Sequence, residues 1–274
     1  MIQSRAMLAT LSISLWTARK QDKKVSSEVE AAHGAHDAGR YNKDLVNKAL
    51  LEPIKQLAGR IREYHYFNTL AWADSGARLL PSKLFVDYAA NIRKFKDQFA
   101  QLVKEMQASY PAEVQAARNR LGSMYEPDDY PDVYDLREKF GVTIEFSPVP
   151  SAQDFRVDVS EEMQTELRES VTQAVAQRQA QAVKATYARV VDVVSKISIR
   201  LSEDSPVFKD TLISNAEDLC TVLDALNITD DPQIIAVRDA IQHNLIVDPG
   251  ELRHSQMLRH RVSERAKEVL AMLP

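Results

Sequence analysis

The run SEEMQTELRESVTQAVAQRQAQAVKATYARVVDVVSKISIRL, residues 160–201, decides the reading of this chain. It holds neither Gly nor Pro, so nothing in it stops a helix. At 1.5 Å per residue it predicts a helix roughly 60 Å long. Ser160 suits an N-cap, and Glu161 and Glu162 suit the positive end of a helix dipole. In the second half Val183, Tyr187, Val190, Val194, Ile197 and Leu201 recur at alternating spacings of four and three, a coiled-coil-like seam. The middle, 173–181, is rich in Ala and Gln and suits a thin or exposed region.

Helical patterns surround this run. Val46, Leu50, Ile54, Leu57, Ile61, Tyr64 and Asn68 form one stripe, with Asn42 as the expected cap and Pro53 as an expected kink or restart. A helix is expected over 82–109, with Leu84, Tyr88, Ile92, Phe95, Phe99, Leu102 and Met106 on one side. A shorter one is expected from Pro111 to Gly122. A short helix near 134–140 follows the acidic loop Glu-Pro-Asp-Asp-Tyr-Pro-Asp, 126–132. Three further helices, about 206–226, 232–245 and 249–273, each begin near a Pro.

Period two appears in three places. Leu11, Ile13 and Leu15 alternate with Ser12, Ser14 and Trp16; Val142, Ile144 and Phe146 alternate with polar residues; so do Phe155, Val157 and Val159. The last two runs predict a β-hairpin, and with the first a small three-stranded antiparallel sheet that needs a helix over its apolar side. The fold class is therefore mainly α, with long antiparallel helices, a coiled-coil-like seam and a minor sheet. The division expected is 1–159 (strand, helical hairpin, β-hairpin) and 160–274 (long helix and C-terminal helical cluster), or one continuous domain.

The 274 residues, 45% hydrophobic and 27% charged, have globular composition. Seven Gly are too few for a fold of many tight hairpins. A formal charge of −4 excludes strong whole-molecule attraction to nucleic acid or an acidic membrane, though not a local basic patch. The single cysteine, Cys220, permits neither an intrachain disulfide nor a thiolate metal cage. Residues 1–16 lack an uninterrupted signal-peptide core, and no stretch nears the roughly 18–20 apolar residues of a membrane helix. A cytoplasmic protein is the expectation.

Gly-rich phosphate loops, His-Glu-x-x-His, Cys-x-x-Cys and Gly-x-Ser-x-Gly are all missing. His33, His36 and Asp37 are spaced for a metal only if one helix carries both imidazoles; the plainer reading is a polar connector. Glu126, Asp128, Asp129, Asp132 and Asp135 lack EF-hand spacing and read as a solvated loop or a patch for a basic partner. Tyr64, His65, Tyr66, Phe67, Trp72 and Asp74, with Arg78, read as core or as a ligand pocket, and in the latter case His65, Asp74 and Arg78 are the catalytic candidates. The last helix places Arg253, His254, His260, Arg261, Arg265 and Lys267 on one basic face, opposite Leu258, Val262, Ala266, Val269 and Leu273. Such a face tracks phosphates, while Glu264 and Glu268 within it favour a salt-bridged surface. Arg19, Lys20, Lys23 and Lys24 make a second basic knot.

The segments LSISLWTARKQD (11–22), RYNKDLV (40–46), YHYFNTLAW (64–72), GARLLP (76–81) and DFRVDV (154–159) resemble an uncharacterised family of bacteriophage and prophage proteins. The resemblance implies a phage setting in a host cytoplasm and carries no activity or site residue. The function expected is that of a non-enzymatic interaction or self-assembling protein, with a protein partner or itself as the partner. A nucleic-acid accessory protein using the C-terminal helix, and an enzyme around the aromatic cluster, are the alternatives. No catalytic residue, metal or cofactor is assigned.

Overall fold

A computed structural model describes residues 2–152, 160–203 and 207–274. The chain forms two compact units, each discontinuous in sequence. The first holds residues 1–10, 66–88 and 145–274; the second holds 11–65 and 89–144. The boundary expected at 159/160 thus lies inside the first unit, and the expected strand at Phe155, Val157 and Val159 lies outside the described residues.

The strands are β1 (Ala6–Ser14), β2 (Arg19–Gln21), β3 (Asn42–Asp44), β4 (Leu70–Ala71), β5 (Ala77–Pro81) and β6 (Gly141–Pro148). A four-stranded sheet has the order β4-β5-β1-β6, and β2 pairs with β3. β1 runs antiparallel to β5, with Leu8 opposite Leu79, and β4 runs antiparallel to β5, with Leu70 opposite Leu79. No strand is expected from the sequence over 77–81. Leu79, Leu80 and Pro81 are buried in succession, so β5 shows no alternation of apolar and polar residues.

The helices are α1 (Lys23–His33), α2 (Lys48–Asn68), α3 (Phe85–Leu121), α4 (Val133–Glu138), α5 (Glu161–Ser202), α6 (Thr211–Leu226), α7 (Pro232–Asn244), α8 (Pro249–His254) and α9 (Gln256–Ala271). Three boundaries differ from expectation. Asn42 lies in β3, and the cap of α2 is Asn47, whose side chain accepts from Ala49 N at 3.0 Å. α3 runs through Pro111, where a new helix was expected, and α2 continues past Pro53 without a restart. A proline removes one N–H donor, while buried Tyr110, Ala117 and Leu121 keep the far end of α3 on the core. The last helix is two helices, because the Ser255 side chain accepts from Leu258 N at 3.2 Å and starts α9 anew.

In the first unit the seam is buried within the chain. Val190, Val194, Ile197 and Leu201 of α5 pack with Ile213, Leu219 and Leu223 of α6, Ile234, Val237 and Ile241 of α7, and Val262, Ala266 and Val269 of α9. Burying such side chains is worth about 1.5–3 kcal/mol each, which is why this half of α5 is held so firmly. A second cluster covers the sheet: Ala6, Leu8, Leu70, Trp72 and Leu79 meet Ala182 of α5 and Val222 and Leu226 of α6. This is the helical cover that the apolar side of the sheet requires. Among the described residues no helix is long and apolar enough to cross a membrane.

In the second unit, Tyr64 of α2 meets Phe95 edge-on at 5.5 Å and accepts from Asn91 Nδ2 at 3.1 Å, both on α3. Lys43 of β3 is only 4% exposed. Its ammonium reaches Asp129 at 2.8 Å, Asp22 at 3.7 Å and the Met124 carbonyl at 2.6 Å. Burial by itself lowers the Lys43 pKa, but the Asp129 hydrogen bond and the charges of Asp129, Asp22 and Glu126 outweigh it, so the net shift is upward.

Candidate functional site

α5 is a helix of two halves. At about 1.5 Å per residue its 42 residues span roughly 63 Å. The Ser160 side chain accepts from Met163 N, and Glu161 and Glu162 occupy the first turn, as the dipole favours. All seven buried residues of α5 lie between Ala182 and Leu201; residues 161–181 contribute none. In the Ala/Gln-rich middle the contact thins to half-buried Val175, which packs against the cluster that covers the sheet.

The outward face of α5 carries large apolar side chains. Met163 is 51% exposed, Val191 45% and Ile199 64%. Met163 and Ile199 stand thirty-six residues apart, about ten turns of 3.6, so they share one face at opposite ends. Between them that face carries small side chains, including Ala174 and Ala188. At the C-terminal end a groove of about 620 Å³ opens beside Ile199, Val207, Phe208 and Leu212, rimmed by Lys196, Arg200 and Lys209.

Charge follows the same division. Residues 161–181 hold four Glu against two Arg, and residues 182–202 hold four cations against one Asp. Of these cations, Lys196 pairs with Asp192 at 2.7 Å and Arg200 pairs with Glu203. Arg189 turns inward. It donates to the carbonyls of Phe67 and Tyr66, both at 2.8 Å, and to that of Thr69.

That contact settles how the aromatic segment is built within the first unit. α2 ends at Asn68, and its last carbonyls need donors. Arg189 supplies them from α5. Arg78 of β5 donates to Thr69 Oγ1 at 2.7 Å and to the Thr69 carbonyl at 3.1 Å, and lies 4.7 Å from the Tyr66 ring centre. Arg178 lies 5.7 Å from the ring centre of buried Trp72. Burial first, and the neighbouring Arg78 charge second, bring the Arg189 pKa down to about 10. Two guanidiniums sit together here, and among the described residues neither is paired with a carboxylate. The negative end of the α2 dipole is their counter-charge. Of the three catalytic candidates, Arg78 is thus committed to Thr69 and Tyr66, Asp74 is exposed in a turn, and His65 is buried in the second unit's part of α2.

The basic residues of the C-terminal segment are divided between two helices. Arg253 and His254 end α8. Arg253 pairs with Asp210, donates to the Phe208 carbonyl at 3.2 Å and lies 5.1 Å from the Phe208 ring centre. His254 Nδ1 contacts the Gly250 carbonyl at 2.7 Å. On α9, Arg265 donates to the Asn244 side chain and Lys267 pairs with Glu264 at 2.7 Å, while His260 and Arg261 stand exposed. Val262, Ala266 and Val269 are buried on the opposite side, as the spacing requires. Arg259, which sequence reading left off the basic face, is buried and donates to the Leu252 and Arg253 carbonyls at 3.0 and 3.3 Å. It caps α8 much as Arg189 caps α2.

Elsewhere, Gly34 ends α1 in the left-handed conformation (φ 59°). His33 and His36 therefore do not share a helical turn, and among the described residues no group of three or more His, Cys, Asp and Glu is arranged to hold a metal. In the acidic loop, Asp129 pairs with Lys43 and lies 3.7 Å from Lys20 of the basic knot, and the Asp132 side chain caps α4 by accepting from Tyr134 N at 2.9 Å. Comparison with protein-family models, curated proteins and solved structures gives no match for this chain.

Proposed function

We propose that this chain is a non-enzymatic interaction protein that assembles with a second copy of itself through the outward face of α5. The observation that carries this reading is the division of α5: residues 182–201 hold all seven of its buried positions, while 161–181 meet the core only through half-buried side chains such as Val175. A helical segment of about 20 residues with no fully buried side chain draws little of its stability from packing. A partner covering it supplies what the core does not.

Charge favours a second copy laid antiparallel. The acidic half of one α5 then meets the basic half of the other. With the two-fold axis at Gln181, Met163 lies opposite Ile199, Glu162 opposite Arg200 and Glu166 opposite Lys196. The small side chains of Ala174 and Ala188 allow close approach between them. The likeness of five segments to bacteriophage and prophage proteins supports a phage setting in a host cytoplasm. Arg253, Arg265 and Lys267 each have partners within the chain, which leaves the nucleic-acid reading to His254, His260 and Arg261.

Light scattering on the protein eluting from a sizing column tests the proposal. The mass expected is twice 30.9 kDa, without nucleic-acid absorbance. Glu166→Lys is expected to shift the protein toward monomer, and adding Lys196→Glu to restore the dimer. A wild-type monomer, or a second substitution that restores nothing, would overturn it.

A further inference from the structure

The second unit has a concave surface that self-assembly through α5 does not use. It is a groove of about 730 Å³ with α3 on one side and the end of α4 and start of β6 on the other. Its lining includes Lys96, Phe99, Val103, Lys104, Arg137 and Phe140. We propose that this groove binds a nucleotide unit, that is, a flat ring carrying phosphate.

The charge on the groove has no internal answer. Among the described residues, no carboxylate lies within 4.0 Å of the head groups of Lys96, Lys104 or Arg137. Asp97 is the one carboxylate in the lining. Three cations thus face one anion in a chain whose overall charge is −4. Lys96 and Lys104 are eight residues apart on one helix, about 12 Å along the axis, so the positive charge extends along the groove. That length matches a ligand with phosphate at one end and a ring at the other.

The remaining lining suits the ring. Phe99 and Val103 are buried beneath the groove, and Phe140 and Val142 stand half-buried on the far wall. Flat bases stack on such aromatic surface. The volume falls within the roughly 300–1,000 Å³ of small-molecule sites. The lining is too polar for an alkyl chain and too apolar for a bare inorganic anion. The walls are also fixed before any ligand arrives. Gln107 Nε2 donates to the Val133 carbonyl at 2.9 Å and the Tyr110 hydroxyl donates to the Pro131 carbonyl at 3.1 Å, tying the α4 segment to α3. A preformed site loses less entropy on binding.

Isothermal titration of the full chain with ATP, adenosine, pyrophosphate and a ten-nucleotide single strand tests the proposal. ATP or the strand is expected to bind saturably, more weakly as salt rises, with adenosine and pyrophosphate each at least about ten-fold weaker. Lys96→Glu and Lys104→Glu should each weaken binding by about ten-fold or more, while Lys55→Glu, an exposed lysine on α2 outside the groove, leaves it unchanged. Should a reversal fail to fold, Lys104→Gln, at an exposed position, should still weaken binding several-fold. ATP binding more tightly than the strand identifies a free nucleotide as the source; the reverse order identifies a nucleic-acid strand. Absence of saturable binding by both, or binding that survives the Lys96 and Lys104 substitutions, would overturn the proposal.

Discussion

Replacing Arg189 with Ala removes its donated bonds to the Tyr66 and Phe67 carbonyls at the end of α2, and one of two guanidiniums on the Thr69 carbonyl. A hydrogen bond from a charged group is worth about 1.5–3 kcal/mol. Three such bonds set an upper figure, and two effects reduce it. Tyr66 and Phe67 are exposed, so water replaces part of the loss, and Thr69 keeps its bond from Arg78. The truncation also relieves the burial that lowers the Arg189 pKa to about 10. A net loss of about 2–3 kcal/mol follows. With an m-value of about 2–3 kcal/mol per molar urea, the midpoint should fall by roughly 1 M. The assay is urea unfolding followed by circular dichroism, read on the transition of the first unit. Arg189→Lys should recover less than half of the loss, because an ammonium lacks the planar fork that reaches three carbonyls. An Arg189→Ala midpoint within about 0.2 M of wild type would refute the capping role.

Two further outcomes follow from the packing. Asp129→Ala leaves buried Lys43 with the more distant Asp22 and the Met124 carbonyl, and should cost about 2–4 kcal/mol in urea unfolding; Asp128→Ala, in the same loop, should stay within about 0.5 kcal/mol. The Tyr187 hydroxyl donates to Asp231 Oδ2 at 2.6 Å, and burial first, then that bond and the Asp231 charge, raise its pKa from 10.0 to about 12. A raised pKa means that the folded state holds the proton more tightly. Its contribution is therefore complete below pH 10 and declines as pH rises toward 12. Thermal melts across that window should show a steeper decline for wild type than for Tyr187→Phe.

What sequence could show depended on how local the cause was. The long helix was legible because its evidence lies entirely within 160–202: a cap, no breakers, and a seam. The buried side of α9 was legible for the same reason. Pro111 misled as a helix start, and Pro53 does not restart α2. Pro53 and Pro111 each remove one donor, and burial on both sides of each carries the helix through. Ser255 hid a break because a cap inside an apparently continuous helical pattern leaves no trace in the hydrophobic spacing. β5 was invisible because its strand partners, Leu8 and Leu70, are distant or separated by a turn, and its apolar residues are consecutive. Arg189 drew no notice. Its acceptors lie about 120 residues away, and a lone arginine on a helix carries no local sign of what it caps. The outward Met163 and Ile199 were present in the sequence, but only the burial of Val190, Val194 and Ile197 inside the unit distinguishes the face left over.

The most direct test of the α5 account is a disulfide between copies. In a Cys220→Ser background, Met163→Cys and Ile199→Cys chains are prepared separately, then mixed and mildly oxidised. The antiparallel register places these positions opposite each other, so the mixture should yield a covalent dimer carrying one chain of each kind, and neither chain alone should do so. A covalent dimer formed by the Met163→Cys chain with itself, or no covalent dimer in the mixture, would contradict it.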